Sequence, residues 1–446
     1  RSMAYFFFFF WNFMLVRIYT LGCKVNTYES NAMLEQLQQH GYRLAEEQEP
    51  ANVVIINTCS VTNTASRKSM KMIHQAIRKN PEAVIVVCGC MSQVEQEEVK
   101  ATDGVHIVLG NYGKSKIYDY ISEYLQTHQK KMDIRSLEQI PFESMRLSHF
   151  YHTRAFVKIQ DGCENFCSYC IIPYTRGTVR SRKKEEILKE AEELIQDGHH
   201  EIVLTGIHTG HYGSDLKDYH FSDLLKALLQ LKGLERLRIS SIEMNEITEE
   251  VIALMKDNPI LVDHMHIPLQ SGSDKILKLM NRKYNLKEFE EKLKEIRRVR
   301  PEMSITTDVI VGFPEETEKE FTETIETVKK FAFSKIHVFP YSRRKGTKAD
   351  AMDHQVDEKV KKERTRRLIA VSNELESKYR KQFLGRTLSV IVETYKDGYL
   401  MGHTGNYLFV KVKGKEELLH QTIPVRLEQE IENGFIGSLA DWGKLC

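Results

Sequence analysis

The chain has 446 residues, 41% of them hydrophobic and 28% charged, with a formal net charge of +2. That length and apolar content supply two or three domains with cores of their own, and the near balance of charge leaves nucleic-acid binding to local patches rather than to the field of the whole protein. Eight cysteines in so long a chain exclude a disulfide framework and suit a reducing cytosol, where cysteines ligate metals or clusters, so a cytoplasmic protein is expected.

The run Tyr5-Phe6-Phe7-Phe8-Phe9-Phe10-Trp11 is apolar but shorter than the ~20 residues that span a bilayer, and no small-residue cleavage site follows it. Translation is expected to start at Met14, with residues 1–13 carrying no function and no segment in a membrane. From there strands and helices alternate. Leu15–Thr20, Val53–Asn57 and Ala83–Val87 read as strands. The stretch after Asn26 to about His40 and residues 64–79 read as helices, the second ending before Pro81. This βαβαβ order predicts a Rossmann-like parallel sheet covered on both faces.

A cysteine follows each of these strands: Cys23 in Leu21-Gly22-Cys23-Lys24-Val25-Asn26, Cys59 in Asn57-Thr58-Cys59-Ser60-Val61-Thr62, and Cys90 in Cys88-Gly89-Cys90-Met91-Ser92-Gln93. Parallel strands carry their carboxyl ends to one edge, so residues far apart in sequence meet there. One lone cysteine is most simply a small buried hydrophobe. Three at equivalent strand ends, with Gly or Thr beside them, point instead to a cluster with three protein ligands. Cys88, inside the strand end, reads as core, and Cys446 as incidental. A cobalamin loop of the form Asp-x-His-x-x-Gly is not met by Asp103-Gly104-Val105-His106, and no Gly-x-Gly-x-x-Gly follows the first strand.

After a polar connection at about 125–150, strands are expected at Ala155–Ile159, Ile202–Thr205, Arg236–Ser240, Asp263–Ile267, Ser304–Val309 and Lys335–Phe339. Helical patterns lie between them near 183–196, 221–231, 246–256, 286–299 and 317–331. Six such units make a partial TIM barrel, (β/α)6, whose chemistry belongs at the carboxyl ends of the strands. There, after the first strand, stands Cys163-Glu164-Asn165-Phe166-Cys167-Ser168-Tyr169-Cys170. A 4Fe-4S cluster takes four thiolates, so three leave one iron open to a substrate or cofactor. A structural zinc site needs four N or S ligands, and no second arm lies nearby. Polar and glycine residues also follow the other strands, at Thr205–Gly210, Ser240–Glu243, Pro268–Ser273, Gly312–Glu316 and Tyr341–Thr347. Many are ordinary loop residues, with Ser273 and Thr317 as helix caps. His208 and His211 read as solvated and receive no role.

Residues 354–386 carry ten Lys or Arg against five Asp or Glu, a charge run that is usually a solvated helix face. Short strands then follow at Thr387–Glu393, from Tyr399, and at 406–412 and 420–427, with a turn at Lys396-Asp397-Gly398. Their spacing predicts a small β-barrel of about 60 residues.

Two cysteine triplets in this order, on these three modules, resemble the radical S-adenosylmethionine (SAM) methylthiotransferases, which join a three-cysteine domain, a radical SAM barrel and a C-terminal TRAM domain. The resemblance runs from Met14 to the end, with domains at 14–135, 150–375 and 380–446. It implies two 4Fe-4S clusters, one on Cys23, Cys59 and Cys90 and the other on Cys163, Cys167 and Cys170. In the family the second binds and cleaves SAM, which the region after the second strand contacts; Tyr169, Gly206, Glu243 and Gln270, at that end of the barrel, are the expected SAM contacts. One SAM would methylate sulfur held at the first cluster, and a second would yield the radical that activates the acceptor carbon. The segments around Cys23 and Cys59 look most like the branch acting on N6-threonylcarbamoyladenosine at position 37 of tRNA. The resemblance thus implies a transferase of tRNA modification, with the anticodon loop of tRNA and a reducing electron donor as partners and the C-terminal barrel and basic helix gripping phosphates. Isopentenyladenosine in tRNA and a ribosomal-protein aspartate are the alternative acceptors. A non-catalytic iron-sulfur RNA-binding protein is the alternative of another class.

Overall fold

A computed structural model describes residues 13–217 and 219–441. Cys446 and residues 1–12 therefore lie outside the described residues. The described residues form two compact units that divide between Ser136 and Leu137. Among the described residues no helix is long and apolar enough to cross a membrane.

The first unit runs β1 (Met14–Thr20), α1 (Lys24–Gln39), β2 (Tyr42–Leu44), β3 (Val53–Thr58), α2 (Asn63–Lys79), β4 (Val84–Gly89), α3 (Cys90–Val94), α4 (Gln96–Lys100), β5 (Ile107–Leu109), α5 (Ile117–Thr127) and β6 (Lys131–Asp133). Its strands pair in parallel in the order β2-β1-β3-β4-β5-β6. β3 and β4 are buried along their whole length, which is why they read as unbroken apolar runs. Val54, Ile56, Ile85 and Val87 pack on Ile73 and Ala76 of α2. The Thr62 hydroxyl caps α2 by accepting from Ala65 N at 3.1 Å. Helix α1 begins at Lys24, ahead of the expected start after Asn26, because Cys23 has extended backbone and takes the N-cap position.

The second unit runs β7 (Arg154–Asp161), α6 (Ile172–Arg176), β8 (Arg180–Ser181), α7 (Lys184–Gln196), β9 (Glu201–Gly206), α8 (Phe221–Leu228), β10 (Arg236–Ile239), α9 (Glu249–Asp257), β11 (His264–His266), α10 (Asp274–Leu279), α11 (Leu286–Val299), β12 (Ser304–Val311), α12 (Glu318–Phe331), β13 (Lys335–Pro340) and α13 (Glu358–Lys381). The expected six parallel strands form two arcs, β10-β9-β7 and β11-β12-β13, with the two-residue β8 added antiparallel to β7. Leu261 joins the arcs by bridging to Leu237. Because residues 260–262 pair with β10 before the chain turns to β12, the fourth strand is shorter than the sequence pattern suggests. The connection before β7 is no loose linker from Leu137 onward: Leu137, Leu147 and Phe150 are buried, and Leu147 N donates to Glu190 Oε2 at 3.1 Å.

A closed barrel of β14 (Thr387–Lys396), β15 (Tyr399–Thr404), β16 (Phe409–Lys413), β17 (Thr422–Ile431) and β18 (Gly434–Leu439) completes the unit, ordered β14-β15-β16-β18-β17. Closure leaves no exposed sheet edge. This barrel sits against the amino ends of the half-barrel strands. Arg236 donates to His403 O at 3.0 Å and Ser389 O at 2.7 Å, Arg238 donates to Gly405 O at 3.1 Å, and the guanidiniums of Arg154 and Arg238 lie 4.9 and 4.8 Å from the Tyr407 ring. Glu201, 1% exposed, balances these cations through Arg238 at 2.5 Å and Arg236 at 3.6 Å. Removing one partner of a buried pair strands the other. Arg238→Ala should cost about 3 kcal/mol in urea unfolding, and Arg238→Ala with Glu201→Gln should cost less than Arg238→Ala alone; an Arg238→Ala chain as stable as the parent would contradict this.

Candidate functional site

The cysteine loop leaves the carboxyl end of β7 through a turn that admits only glycine: Gly162 has φ +80°, and a Cβ there would lie 1.8 Å from Thr178 O. Backbone bonds pin the loop on both flanks. Cys163 N donates to Gly177 O at 3.0 Å, Ser168 N to Met280 O at 3.0 Å, and Ala349 N to Ser168 O at 2.8 Å. Asn281 Nδ2 donates to Phe166 O at 3.0 Å. Gln160 ties the loop to the end of β9, since its Nε2 donates to Gly162 O at 2.7 Å and its Oε1 accepts from His208 N at 2.8 Å.

Each of the three sulfurs has one nitrogen beside it. His208 Nδ1 is 3.5 Å from Cys163 Sγ, Arg282 Nη1 donates to Cys167 Sγ at 3.2 Å, and Ile172 N donates to Cys170 Sγ at 3.4 Å. Burial, and then the neighbouring Cys167, push the Cys170 thiol up to about 12, so ligation there must displace a proton. Burial pulls His208 down, but the bond to Cys163 and the Glu246 carboxylate outweigh it and hold the imidazole up at about 10. Below the loop, Asp161 is buried among Lys158 at 2.6 Å, Arg176 at 3.3 Å and Arg180 at 3.8 Å.

Tyr169, Gly206, Glu243 and Gln270 all lie at this end of the half-barrel, in or after β7, β9, β10 and β11. Tyr169 packs edge-on to Phe313 with ring centroids 6.5 Å apart. Gln270, at φ 68°, is held by Gln270 N to Asp308 O at 2.8 Å and Ile310 N to Gln270 O at 2.9 Å. Glu243 forms an ion pair with Arg282. The sequence reading missed His208, Glu246 and Arg282. A histidine in a polar loop and an arginine after a short helix carry no spacing signal; Gly210, where a Cβ would fall 1.9 Å from Glu246 Oε2, was the one local sign of a close approach.

In the first unit, Cys23, Cys59 and Cys90 follow β1, β3 and β4, three adjacent parallel strands. A Cβ on Gly22 would lie 3.0 Å from Cys59 Sγ, so the first two loops touch. Asn26 clamps them, its Nδ2 donating to Leu21 O at 2.7 Å and Thr58 O at 3.0 Å. Asn111 Nδ2 donates to Cys90 Sγ at 3.4 Å, and Asn111 Oδ1 accepts from Lys114, whose ammonium forms a buried ion pair with Glu29. Cys88 is fully buried in β4, as expected of core.

Among the described residues, donor groups lying within 4.8 Å of one another, as around one ion, occur at His149–Asp197–His199, His208–His211–Glu246 and His266–Asp308–His337, and the cysteine triplets are not among them. Three thiols at one end of parallel strands in each unit are the donor type that an iron-sulfur cluster takes.

Residues 157–328 match the Radical SAM superfamily, and residues 15–110 match a family described as uncharacterized protein family UPF0004. The chain is 44% identical over 420 residues to the threonylcarbamoyladenosine tRNA methylthiotransferase of Bacillus subtilis, covering 92% of this chain and 93% of that protein. It is 37% identical to the Thermotoga maritima protein of the same name, over 96% and 97% of the two chains. Against a tRNA-2-methylthio-N(6)-dimethylallyladenosine synthase of Clostridium perfringens it is 34% identical, over 95% and 97%. Among solved structures, the radical SAM methyltransferase TsrM of Kitasatospora setae shares the fold, with a TM-score of 0.56 at 13% identity over 76% of this chain and 77% of that one.

The clamp at Asn26 makes a direct expectation. Asn26→Ala leaves Leu21 O and Thr58 O without that donor and should cost about 2 kcal/mol; urea unfolding followed by the far-ultraviolet signal checks it, and a change within error would remove the clamp from the account.

Proposed function

Because this chain belongs to the radical SAM tRNA methylthiotransferases, we propose that it places a methylthio group on C2 of N6-threonylcarbamoyladenosine at position 37, in the anticodon loop of tRNA. The proposal assigns one 4Fe-4S cluster to Cys163, Cys167 and Cys170 and a second to Cys23, Cys59 and Cys90. The observation that carries it is the repetition of one device: three thiols gathered at the carboxyl edge of parallel strands, while Cys88, the other described cysteine, is buried inside β4. The choice of acceptor rests on identity, 44% and 37% to relatives named for the threonylcarbamoyl nucleoside against 34% for one named for the dimethylallyl nucleoside.

When bound, the cluster at Cys163, Cys167 and Cys170 supplies the electron that cleaves SAM, and the cluster at Cys23, Cys59 and Cys90 supplies the site for sulfur; a reducing electron donor in the cytoplasm is therefore part of the proposal. Tyr169, Gly206 and Gln270 line the SAM end of the half-barrel, and Glu243 orders it through Arg282. The modules act as the domains 14–135, 150–375 and 380–446. For tRNA, the basic run of α13 contributes less than its composition promises: Lys361, Arg364 and Arg380 are buried in ion pairs with Glu358, Glu316 and Glu430. Lys359, Lys362 and Arg366 remain exposed at i, i+3 and i+7, one face of the helix.

Nucleoside mass spectrometry after anaerobic incubation with tRNA, SAM, dithionite and sulfide tests the reading. The expected product is the 2-methylthio derivative of the threonylcarbamoyl nucleoside. A methylthio group on the dimethylallyl nucleoside instead, or on no nucleoside, would overturn the choice of acceptor. The Cys23→Ala, Cys59→Ala, Cys90→Ala chain should still form 5'-deoxyadenosine but no methylthio product. Replacing Lys359, Lys362 and Arg366 by Ala should weaken tRNA binding and lower the slope of log affinity on log salt by about 0.7 per lost phosphate contact; an unchanged slope would take α13 out of the tRNA interface.

A further inference from the structure

We propose that the turn Glu243–Glu246 after β10 holds two side-chain donors, His208 and Arg282, against two of the three sulfurs of the loop Cys163–Cys170, and so sets how readily the cluster there accepts its electron. Three elements meet in this turn. His208, 7% exposed, has Nδ1 at 3.5 Å from Cys163 Sγ, while its Nε2 faces the Glu246 carboxylate. His211 stacks on the His208 ring at a centroid distance of 3.7 Å and places its own Nε2 3.2 Å from the same carboxylate. On the other side, Arg282 donates to Cys167 Sγ at 3.2 Å and forms an ion pair with Glu243, its guanidinium 5.0 Å from the Tyr284 ring. The Tyr284 hydroxyl is anchored to Pro268 O at 2.8 Å.

The two carboxylates belong to one rigid piece. Glu243 N donates to Glu246 Oε2 at 3.1 Å, and Glu246 N reaches back to the Glu243 side chain in a reciprocal cap. A cluster-bound thiolate carries no proton, so a nitrogen in contact with its sulfur serves as the donor. Nδ1–H and the Arg282 N–H therefore both point at sulfur. Hydrogen bonds to cluster sulfurs, with burial and net charge, set the potential of an iron-sulfur cluster. Reduction adds one electron from the reductant and breaks no bond, so the added charge is carried largely on the iron-sulfur core, where these donors offset it. His208, Arg282, Glu243 and Glu246 are positioning residues in this account.

The test is an EPR-monitored redox titration of the reconstituted full chain with dithionite, following the reduced-cluster signal that changes on adding SAM. In His208→Phe the ratio of reduced to oxidised cluster at the parent midpoint should fall about tenfold, which is about 59 mV for one electron. Glu246→Gln, which takes away the carboxylate that orients His208 through Nε2, should lower the ratio severalfold. His208→Asn, which restores an N–H near the Nδ1 position, should recover most of the loss. Parent iron content with a parent midpoint in both His208→Phe and Glu246→Gln would overturn the inference. Loss of iron in Glu246→Gln would also overturn it, by making the turn a scaffold for the loop rather than a setting for its potential. The inference depends only on a cluster at Cys163, Cys167 and Cys170: a shifted midpoint with a different nucleoside product would keep it and discard the choice of acceptor, and the expected product with an unshifted midpoint would do the reverse.

Discussion

Parallel strand pairing has a geometric consequence that this protein uses twice: every strand delivers its carboxyl end to the same edge, so loops separated by more than thirty residues converge without any long-range covalent link. In the first unit β1, β3 and β4 are neighbours, and their exits carry Cys23, Cys59 and Cys90. In the second unit β7, β9, β10 and β11 deliver the cysteine loop, His208, Glu243 and Gln270 to one end. The local chemistry is then refined by short polar clamps, Asn26 in one case and Gln160 in the other, which hold adjoining loops through backbone carbonyls and amides.

The opposite end of the half-barrel is given over to stability. Glu201, Arg236, Arg238 and Arg154 form a dense set of charges there: Arg236 and Arg238 donate to backbone carbonyls of the C-terminal barrel and pair with Glu201, and Arg154 pairs with Glu393. That arrangement follows the division seen in barrels generally, chemistry at the carboxyl ends and structure at the amino ends. It also explains why α13 is so rich in Lys and Arg. Arg364 reaches Glu316 in the loop after β12, and Arg380 reaches Glu430 on β17, so the helix is a strut joining half-barrel to β-barrel as well as an exposed basic face.

How far the sequence could be read follows from which interactions are local. Val53–Asn57 and Ala83–Val87 are long apolar runs, and their strands lie where the pattern put them. β2, β5 and β6 are three residues each, too short to carry a period, and β18 begins at Gly434, where no apolar run announces it. The cysteine spacing from Cys163 to Cys170 was legible because one loop contains it. The donors beside those sulfurs were not, since His208 and Arg282 arrive from 45 and 115 residues further along the chain. The same limit hid the fate of the basic run: composition counts Lys361 and Arg364 as cations available to phosphate, and only the fold reveals that both are buried and that Glu316 stands beside Arg364.

The central claim is that two independent cysteine triplets hold two clusters. Iron counting with Mössbauer spectroscopy after anaerobic reconstitution tests it most directly, on the parent chain and on the Cys163→Ala, Cys167→Ala, Cys170→Ala chain. The account predicts about eight irons in the parent and about four in the variant, all in 4Fe-4S form. About four in the parent and none in the variant would contradict it, leaving Cys23, Cys59 and Cys90 without a cluster.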